Sequence, residues 1–137
     1  MKDTVDKLFQ ALNNHDIVLI TKLFADSARL ESPNWEGSKI GPIGAKEVYL
    51  RYFNSTPDLK FTITQLTIGP NTAVVEYKTE GTLQYAEQGT PDYMVGKKYI
   101  IKNITRLNLQ SGKILESNSY FDQVSFLKQV GFFDKHS

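Results

Sequence analysis

The spacing of apolar residues predicts helices in the first part of the chain. Apolar side chains at positions 5, 8, 9 and 12 recur every three or four residues, which is the period of one helix face. The same period recurs at positions 17–24, after Asp16 as a capping residue, and at positions 45–53, before Pro57. A short strand from Ala28 to Ser32 separates the second and third helices. The predicted order is therefore helix, helix, strand, helix.

After Pro57 the apolar period changes from that of a helix to that of a strand. Phe61 and Ile63 alternate with threonines, and the apolar phase then moves by one residue at Leu66 and Ile68. A shift of one residue within a strand predicts a β-bulge, because it otherwise turns every later side chain to the opposite face.

The remainder of the chain reads as a meander of four strands and a short final helix. Glycine-containing turns at 69–71 and 110–113 and a loop at 86–93 separate the strands, and the helix covers 124–130. Helices that are segregated from an antiparallel meander indicate an α+β fold. We expect one domain over 1–137, with a curved antiparallel sheet wrapped around the N-terminal helices.

Composition and charge exclude several functional classes. The 137 residues are 40% hydrophobic and 12% aromatic, which is typical of a chain that buries a core. The formal net charge is +1, so no long-range field would gather nucleic acid or an anionic membrane. Cysteine is absent, which excludes disulfides, thiolate nucleophiles and zinc sites that use cysteine.

The sequence contains no targeting, membrane or cofactor motif that we recognise. The N-terminus is acidic where a signal peptide would be basic, and no apolar run is long enough to span a bilayer. We expect a cytoplasmic protein with no membrane or nucleic-acid partner. Metal-ligand spacings, a phosphate-binding glycine loop and a nucleophile elbow are also missing, so we expect no metal and no cofactor.

Polar residues on the inward face of two strands suggest a lined cavity. Asn103 and Thr105 interrupt an otherwise apolar face of the strand over 97–109, and a buried amide needs hydrogen-bond partners. Ser117 and Ser119 occupy the same face of the last strand, where small hydroxyl residues leave room. The alternative is that Asn103 bonds a neighbouring strand or a buried water.

The chain resembles a known family over nearly its whole length, through motifs near both ends that include the run Gly112-Lys113-Ile114-Leu115-Glu116. The opening resembles the nuclear transport factor 2-like superfamily, through the runs Leu12-Asn13-Asn14-His15-Asp16 and Leu23-Phe24-Ala25-Asp26-Ser27-Ala28 followed by Pro33. The close resembles its SnoaL-like polyketide cyclase branch, which is related to ketosteroid isomerase, through Tyr120-Phe121-Asp122-Gln123-Val124-Ser125-Phe126-Leu127. The resemblance implies a cone-shaped fold around a deep apolar pocket, often in a homodimer.

The resemblance also implies candidate site residues. Asp122 matches the acid/base aspartate of the SnoaL-like closing motif, and Asn103 falls near an oxyanion-binding position of ketosteroid isomerase. Asp122 has a second interpretation as the N-cap of the final helix, since its carboxylate could accept from the free N–H groups there. The predicted ligand contacts are Trp35, Tyr52, Tyr77, Tyr99, Ser117, Ser119 and Phe121. For Trp35 the alternative is packing beneath its own loop. The helical spacing of Tyr49, Tyr52 and Phe53 is more typical of core residues than of ligand contacts.

Two functional hypotheses follow from these residues. In the first, the pocket binds a small, flat, mostly apolar molecule that carries a carbonyl, and Asp122 moves a proton in an isomerisation or aldol-type cyclisation. Asn103 and a tyrosine hydroxyl would then hold the oxygen. In the second, the chain is a non-catalytic ligand-binding or dimerisation module. The two differ in whether Asp122 and Asn103 face one shared void.

Overall fold

A computed structural model describes residues 1–85 and 90–135. The predicted loop at 86–93 therefore lies partly outside the described residues. The helices are α1 (Lys2–Asn13), α2 (Ile17–Lys22), α3 (Gly41–Ser55) and α4 (Gln123–Gln129). The strands are β1 (Phe24–Glu31), β2 (Lys39–Ile40), β3 (Lys60–Gly69), β4 (Thr72–Thr82), β5 (Lys98–Gln110) and β6 (Lys113–Phe121). The predicted α+β class is confirmed.

The six strands form one curved sheet in the order β2-β1-β6-β5-β4-β3. The meander from β3 to β6 is antiparallel, as predicted. The first strand lies parallel to the last, with Leu30 beside Ser117 and Glu31 beside Asn118. This parallel pairing joins segments far apart in the chain, and no local pattern in the sequence predicts it. Strand β2, which is only two residues long, was also not predicted.

The predicted bulge is confirmed in β3. The register against β4 shifts between Ile63 and Gln65, so Phe61 and Leu66 face the same side although they are an odd number of residues apart. The side chain of Asn13 pairs with this edge strand. Its Oδ1 accepts from the Phe61 amide at 2.7 Å, and its Nδ2 donates to the Phe61 carbonyl at 2.9 Å.

The second helix is shorter than predicted. Asp16 caps α2 as expected and accepts from the Leu19 amide at 3.1 Å. The helix ends at Lys22, however, and Phe24 already begins β1. Phe24 is buried at the start of β1, and an apolar residue at this position fits a helix end and a strand start equally well, so the apolar pattern alone could not distinguish them.

The core lies between the helices and the concave face of the sheet. Fully buried side chains include Val5 of α1, Ile20 of α2, Val75 of β4, Leu107 of β5 and Ile114 of β6. Burial alternates along β5 as the sequence predicts, and Asn103 is the half-buried exception on its inner face. None of the helices in the described part of the chain is long and apolar enough to cross a membrane.

Candidate functional site

A cavity of about 260 Å³ lies between α3 and the concave face of the sheet. Its wall is mostly apolar and aromatic, and Phe126 of α4 contributes to it. The structure places Asn103 and all seven predicted ligand contacts along this wall: Trp35, Tyr52, Tyr77, Tyr99, Ser117, Ser119 and Phe121. The fold thus brings these eight residues together at one cavity, while their contact with a ligand stays a prediction.

The Asn103 side chain presents an acceptor to the cavity. Its Nδ2 donates to Oγ1 of Thr79 at 3.0 Å and to the Ile101 carbonyl at 3.2 Å, so both amide hydrogens are used. A carbonyl oxygen can only accept, which fixes the orientation of the amide. Oδ1 accepts no hydrogen bond from any described residue. No buried side-chain oxygen among the described residues lacks a hydrogen-bond partner, so Oδ1 must be accessible. Because Asn103 lines the cavity, Oδ1 is accessible from the cavity.

The Tyr49 hydroxyl also opens into the cavity. Tyr49 lines the wall from α3, and its hydroxyl makes no hydrogen bond within the described residues, so the same argument makes that oxygen accessible. Burial raises the pKa of the Tyr49 hydroxyl, and the nearby phenols of Tyr77 and Tyr52 raise it further. The phenol is therefore neutral at physiological pH, with a hydrogen free to donate.

Three hydroxyl groups form a chain on the inner face of the sheet. The Tyr77 hydroxyl lies 2.8 Å from Oγ1 of Thr105, which lies 2.9 Å from Oγ of Ser119. Burial raises the pKa of Tyr77 to about 12, although hydrogen bonds to Thr105 and Ser119 act in the opposite direction. The Thr105 hydroxyl thus has its hydrogen-bond partners inside the fold, and the row of three hydroxyl groups stays uncharged.

Trp35 and Tyr52 stand beside the cavity with their polar atoms engaged. The Trp35 indole donates from Nε1 to the Leu30 carbonyl at 3.1 Å, and the Tyr52 hydroxyl accepts from Nδ2 of Asn34 at 2.7 Å. The two aromatic side chains are held in place by these bonds. What they offer a ligand is therefore ring surface rather than a new hydrogen bond from the indole.

Asp122 lies outside the residues that line the cavity. Its side chain is exposed and accepts from the Ser125 amide at 3.0 Å, as the N-cap of α4. The capping interpretation is thereby confirmed. The hypothesis of proton transfer by Asp122 requires Asp122 and Asn103 to line the same cavity. Of the two, only Asn103 lines it.

Among the described residues of the cavity wall, the charged side chains are Glu31 and Arg51. Glu31 borders it, but its Oε1 accepts from Oγ of Ser38 at 2.9 Å and pairs with Arg29 at 3.3 Å on the outer surface. Arg51 also borders the cavity and is exposed on α3. Across residues 1–85 and 90–135, no group of three His, Asp or Glu side chains could hold a metal ion.

This combination of a helix-covered, strongly bent sheet and an aromatic cavity defines the class of cone-shaped α+β proteins. The family model for SnoaL-like polyketide cyclases matches residues 2–130, so the chain belongs to that family. The predicted family resemblance is confirmed. A comparison with curated proteins gave no match.

Solved structures share this fold at low sequence identity. IdmH from Streptomyces antibioticus, described as a proposed polyketide cyclase, superposes with a TM-score of 0.80 at 21% identity, over 95% of this chain and 97% of that one. A ketosteroid isomerase-like protein from Catenulispora acidiphila, in complex with trimethylamine, gives 0.79 at 16%, over 93% and 92%. An epoxide hydrolase of M. tuberculosis gives 0.73 at 14%, over 93% and 86%. These similarities concern the fold alone.

Tyr49 is the site residue that was not predicted from the sequence. Together with Tyr52 and Phe53 it follows a helical period, which suggested a core role. The useful signal was its hydroxyl, since a phenol on a buried helix face needs a partner. Sequence alone could not show that the fold supplies none.

Proposed function

We propose that the cavity binds a small, flat, mostly apolar molecule whose carbonyl oxygen accepts a hydrogen bond from the Tyr49 hydroxyl. The observation that carries this proposal is the free phenol of Tyr49 in an otherwise apolar and aromatic wall. Because that hydroxyl opens into the cavity, a ligand carbonyl would replace the water that solvates it, and a hydrogen bond formed in such an exchange contributes about 0.5–1.5 kcal/mol.

The cavity volume limits the size of the ligand. A cavity of about 150 Å³ is known to hold benzene, and common drug-sized pockets begin at about 300 Å³. The present cavity, at about 260 Å³, therefore suits a molecule of roughly one or two fused rings. Aromatic residues such as Tyr77 and Phe121 on the wall favour a planar molecule, because ring faces stack well.

The test is a ligand panel measured by thermal shift and by titration calorimetry. Acetophenone and 2-acetonaphthone should raise the melting temperature, and naphthalene, which lacks the carbonyl, should bind more weakly. Tyr49→Phe should remove the preference for the ketone. Tyr85→Phe is the matched control, since Tyr85 is exposed and does not line the cavity. Equal ketone binding by wild type and Tyr49→Phe would contradict the proposal.

A second candidate is catalysis of isomerisation or aldol-type cyclisation, which membership of the polyketide cyclase family favours. Both reactions begin with transfer of a proton from the carbon next to a carbonyl to a base, which is a water molecule in this proposal, and a hydrogen bond from a neutral phenol would polarise that carbonyl. The measurement is deuterium exchange at the carbon next to the carbonyl, followed by NMR in D₂O. Exchange above the buffer rate that Tyr49→Phe reduces supports catalysis, whereas exchange at the buffer rate leaves a binding module.

The outer face of the sheet is the surface that we propose for a homodimer. Ile104 lies opposite Tyr120 in the register, and Ile100, Ile104 and Tyr120 are exposed by 54%, 45% and 64%. Arg106 and Glu116 lie 3.8 Å apart on the same face. A face that carries apolar residues and both charge signs can pack against its own copy across a two-fold axis.

Sedimentation analysis tests the dimer. Ile104→Lys should give a monomer, because it places a charge in the proposed contact. Ile43→Lys should leave the dimer intact, since Ile43 is 84% exposed in the first turn of α3, away from the sheet face. A monomeric wild-type protein would contradict this part of the proposal.

A further inference from the structure

We infer that the ligand carries a hydroxyl donor, a phenol or an enol, in addition to its carbonyl, and that it binds in its neutral form. This inference rests on the proposed function, because it concerns a second contact within the same cavity. The observation behind it is the open acceptor of Asn103, which a ketone alone cannot satisfy.

The amide of Asn103 cannot turn to become a donor. Reversing it would place Oδ1 against the Ile101 carbonyl, which Nδ2 now approaches at 3.2 Å, and against the Tyr77 carbonyl at 3.5 Å. Two carbonyl oxygens would then face a third oxygen with no hydrogen between them. Asn103 thus always presents its acceptor, Oδ1, to the cavity. Only an O–H or N–H group of a ligand can donate a hydrogen bond to that oxygen.

Tyr49 and Asn103 reach the cavity from a helix and from the sheet, respectively. Tyr49 belongs to α3, and Asn103 belongs to the centre of β5, where it lies between Tyr77 of β4 and Phe121 of β6. One wall therefore offers a donor and the other an acceptor. A molecule that spans the cavity must carry both groups to match both walls, whereas a hydrocarbon or a simple ketone leaves one of them unmatched.

The same geometry disfavours an anionic ligand. A phenolate or enolate oxygen at Asn103 would face the lone pairs of Oδ1, and the polar neighbours there are neutral. Among the described residues, the titratable groups that border the cavity are Glu31, Arg51 and the tyrosines Tyr49, Tyr52, Tyr77, Tyr99 and Tyr120, of which Tyr120 is largely exposed on the outer face of the sheet. Arg51 is the cation among the described residues of the wall, and it is exposed on α3 rather than on the sheet that holds Asn103.

A second acceptor must be separated from Asn103. Ser117 is buried, lines the cavity and makes no hydrogen bond through its hydroxyl within the described residues, so it too could accept from a ligand. A serine hydroxyl can donate as well as accept, however. It could therefore accept a hydrogen bond from a phenol and equally donate one to a phenolate. Discrimination between the two ionisation states is therefore the signature of Asn103.

The test compares hydroxyacetophenones with their methyl ethers and with acetophenone by titration calorimetry. The ortho, meta and para isomers are included, and at least one hydroxy compound should bind about tenfold more tightly than its ether. That advantage should disappear when the pH rises from well below to well above the pKa of the ligand's phenol. The affinity of acetophenone should stay constant over the same range.

Two variants locate the contact. Ser117→Ala should retain the advantage of the hydroxy compound, and Asn103→Leu should lose it. If Asn103→Leu does not fold, the ligand comparison on the wild-type protein still decides. Equal binding of each hydroxy compound and its ether, with ketone binding still dependent on Tyr49, overturns this inference alone. Absence of any Tyr49-dependent ketone binding overturns the proposed function and this inference together.

Discussion

Thr56 and Tyr99 join their hydroxyl groups at 2.9 Å and so tie the end of α3 to β5 beside the cavity. The methyl group of Thr56 explains a glycine in the middle of a strand. Gly81 lies next to Tyr99 in the register, and a Cβ added to it would lie 2.3 Å from Cγ2 of Thr56. The close approach of α3 to the sheet at this point therefore requires a residue without a side chain.

The first prediction is that Gly81→Ala destabilises the protein by about 1–3 kcal/mol because its Cβ collides with Thr56. Thr56→Ser removes the methyl group and keeps the hydroxyl that binds Tyr99, so it should reduce that cost. Urea denaturation of the two single variants and the double variant gives the coupling. We expect a coupling of about 1 kcal/mol. Strictly additive effects would show that this contact does not impose the glycine.

The second prediction concerns the side chain that closes the sheet edge. Asn13→Ala should lower the free energy of unfolding by about 1–3 kcal/mol, since it leaves the amide and the carbonyl of Phe61 without their partners. Asn14→Ala is the matched control, because Asn14 is exposed like Asn13 but its side chain makes no hydrogen bond within the described residues, so it should change stability by less than about 0.5 kcal/mol. Equal effects of the two variants would contradict the role given to Asn13.

The third prediction separates capping from proton transfer at Asp122. Asp122→Ala should cost about 1 kcal/mol of stability, and Asp122→Asn less, because asparagine also caps helices well. Ketone affinity should be unchanged in both variants, since Asp122 does not line the cavity. If Asp122→Asn leaves binding intact but abolishes deuterium exchange, the predicted acid/base role stands.

The fourth prediction is a loss of stability in alkali. Burial raises the pKa of Tyr77 from 10.0 to about 12. Between these values the unfolded chain has released a proton that the folded protein still binds, so the free energy of unfolding falls as the pH rises. The stabilisation is complete below pH 10.0 and is lost as the pH approaches about 12, by about 2–3 kcal/mol in total. Chemical denaturation at several pH values should show a weaker slope for Tyr77→Phe than for Tyr85→Phe.

Local patterns in the sequence predicted most of the fold. The bulge near Ile63, the cap at Asp16 and the inward face of β5 each depend on neighbouring residues, and each is confirmed. The parallel pairing of β1 with β6 was not predicted, because Leu30 and Ser117 meet only through the completed fold. The end of α2 was misplaced, because the apolar residue Phe24 fits a helix and a strand equally well.

The sequence predicted which residues line the candidate site better than it predicted the role of each residue. The aromatic and small polar residues of the wall were recognisable, since the alternation along β5 and β6 fixes which side chains face inward. The sequence could not predict that Asn103 offers an acceptor rather than a donor. Its Nδ2 donates to Thr79 and Ile101, and no sequence pattern reveals those bonds. Tyr49 was assigned to the core for the same reason: a missing partner is visible only in three dimensions.

The most direct measurement is the NMR spectrum of acetophenone labelled with ¹³C at the carbonyl and methyl carbons, bound to the protein. A hydrogen bond from Tyr49 should move the carbonyl resonance to higher chemical shift, while the methyl resonance reports the ring currents of the aromatic wall. We expect the carbonyl change in wild type and Tyr85→Phe and its loss in Tyr49→Phe, with the methyl change retained. The same carbonyl shift in bound wild type and bound Tyr49→Phe would contradict the account.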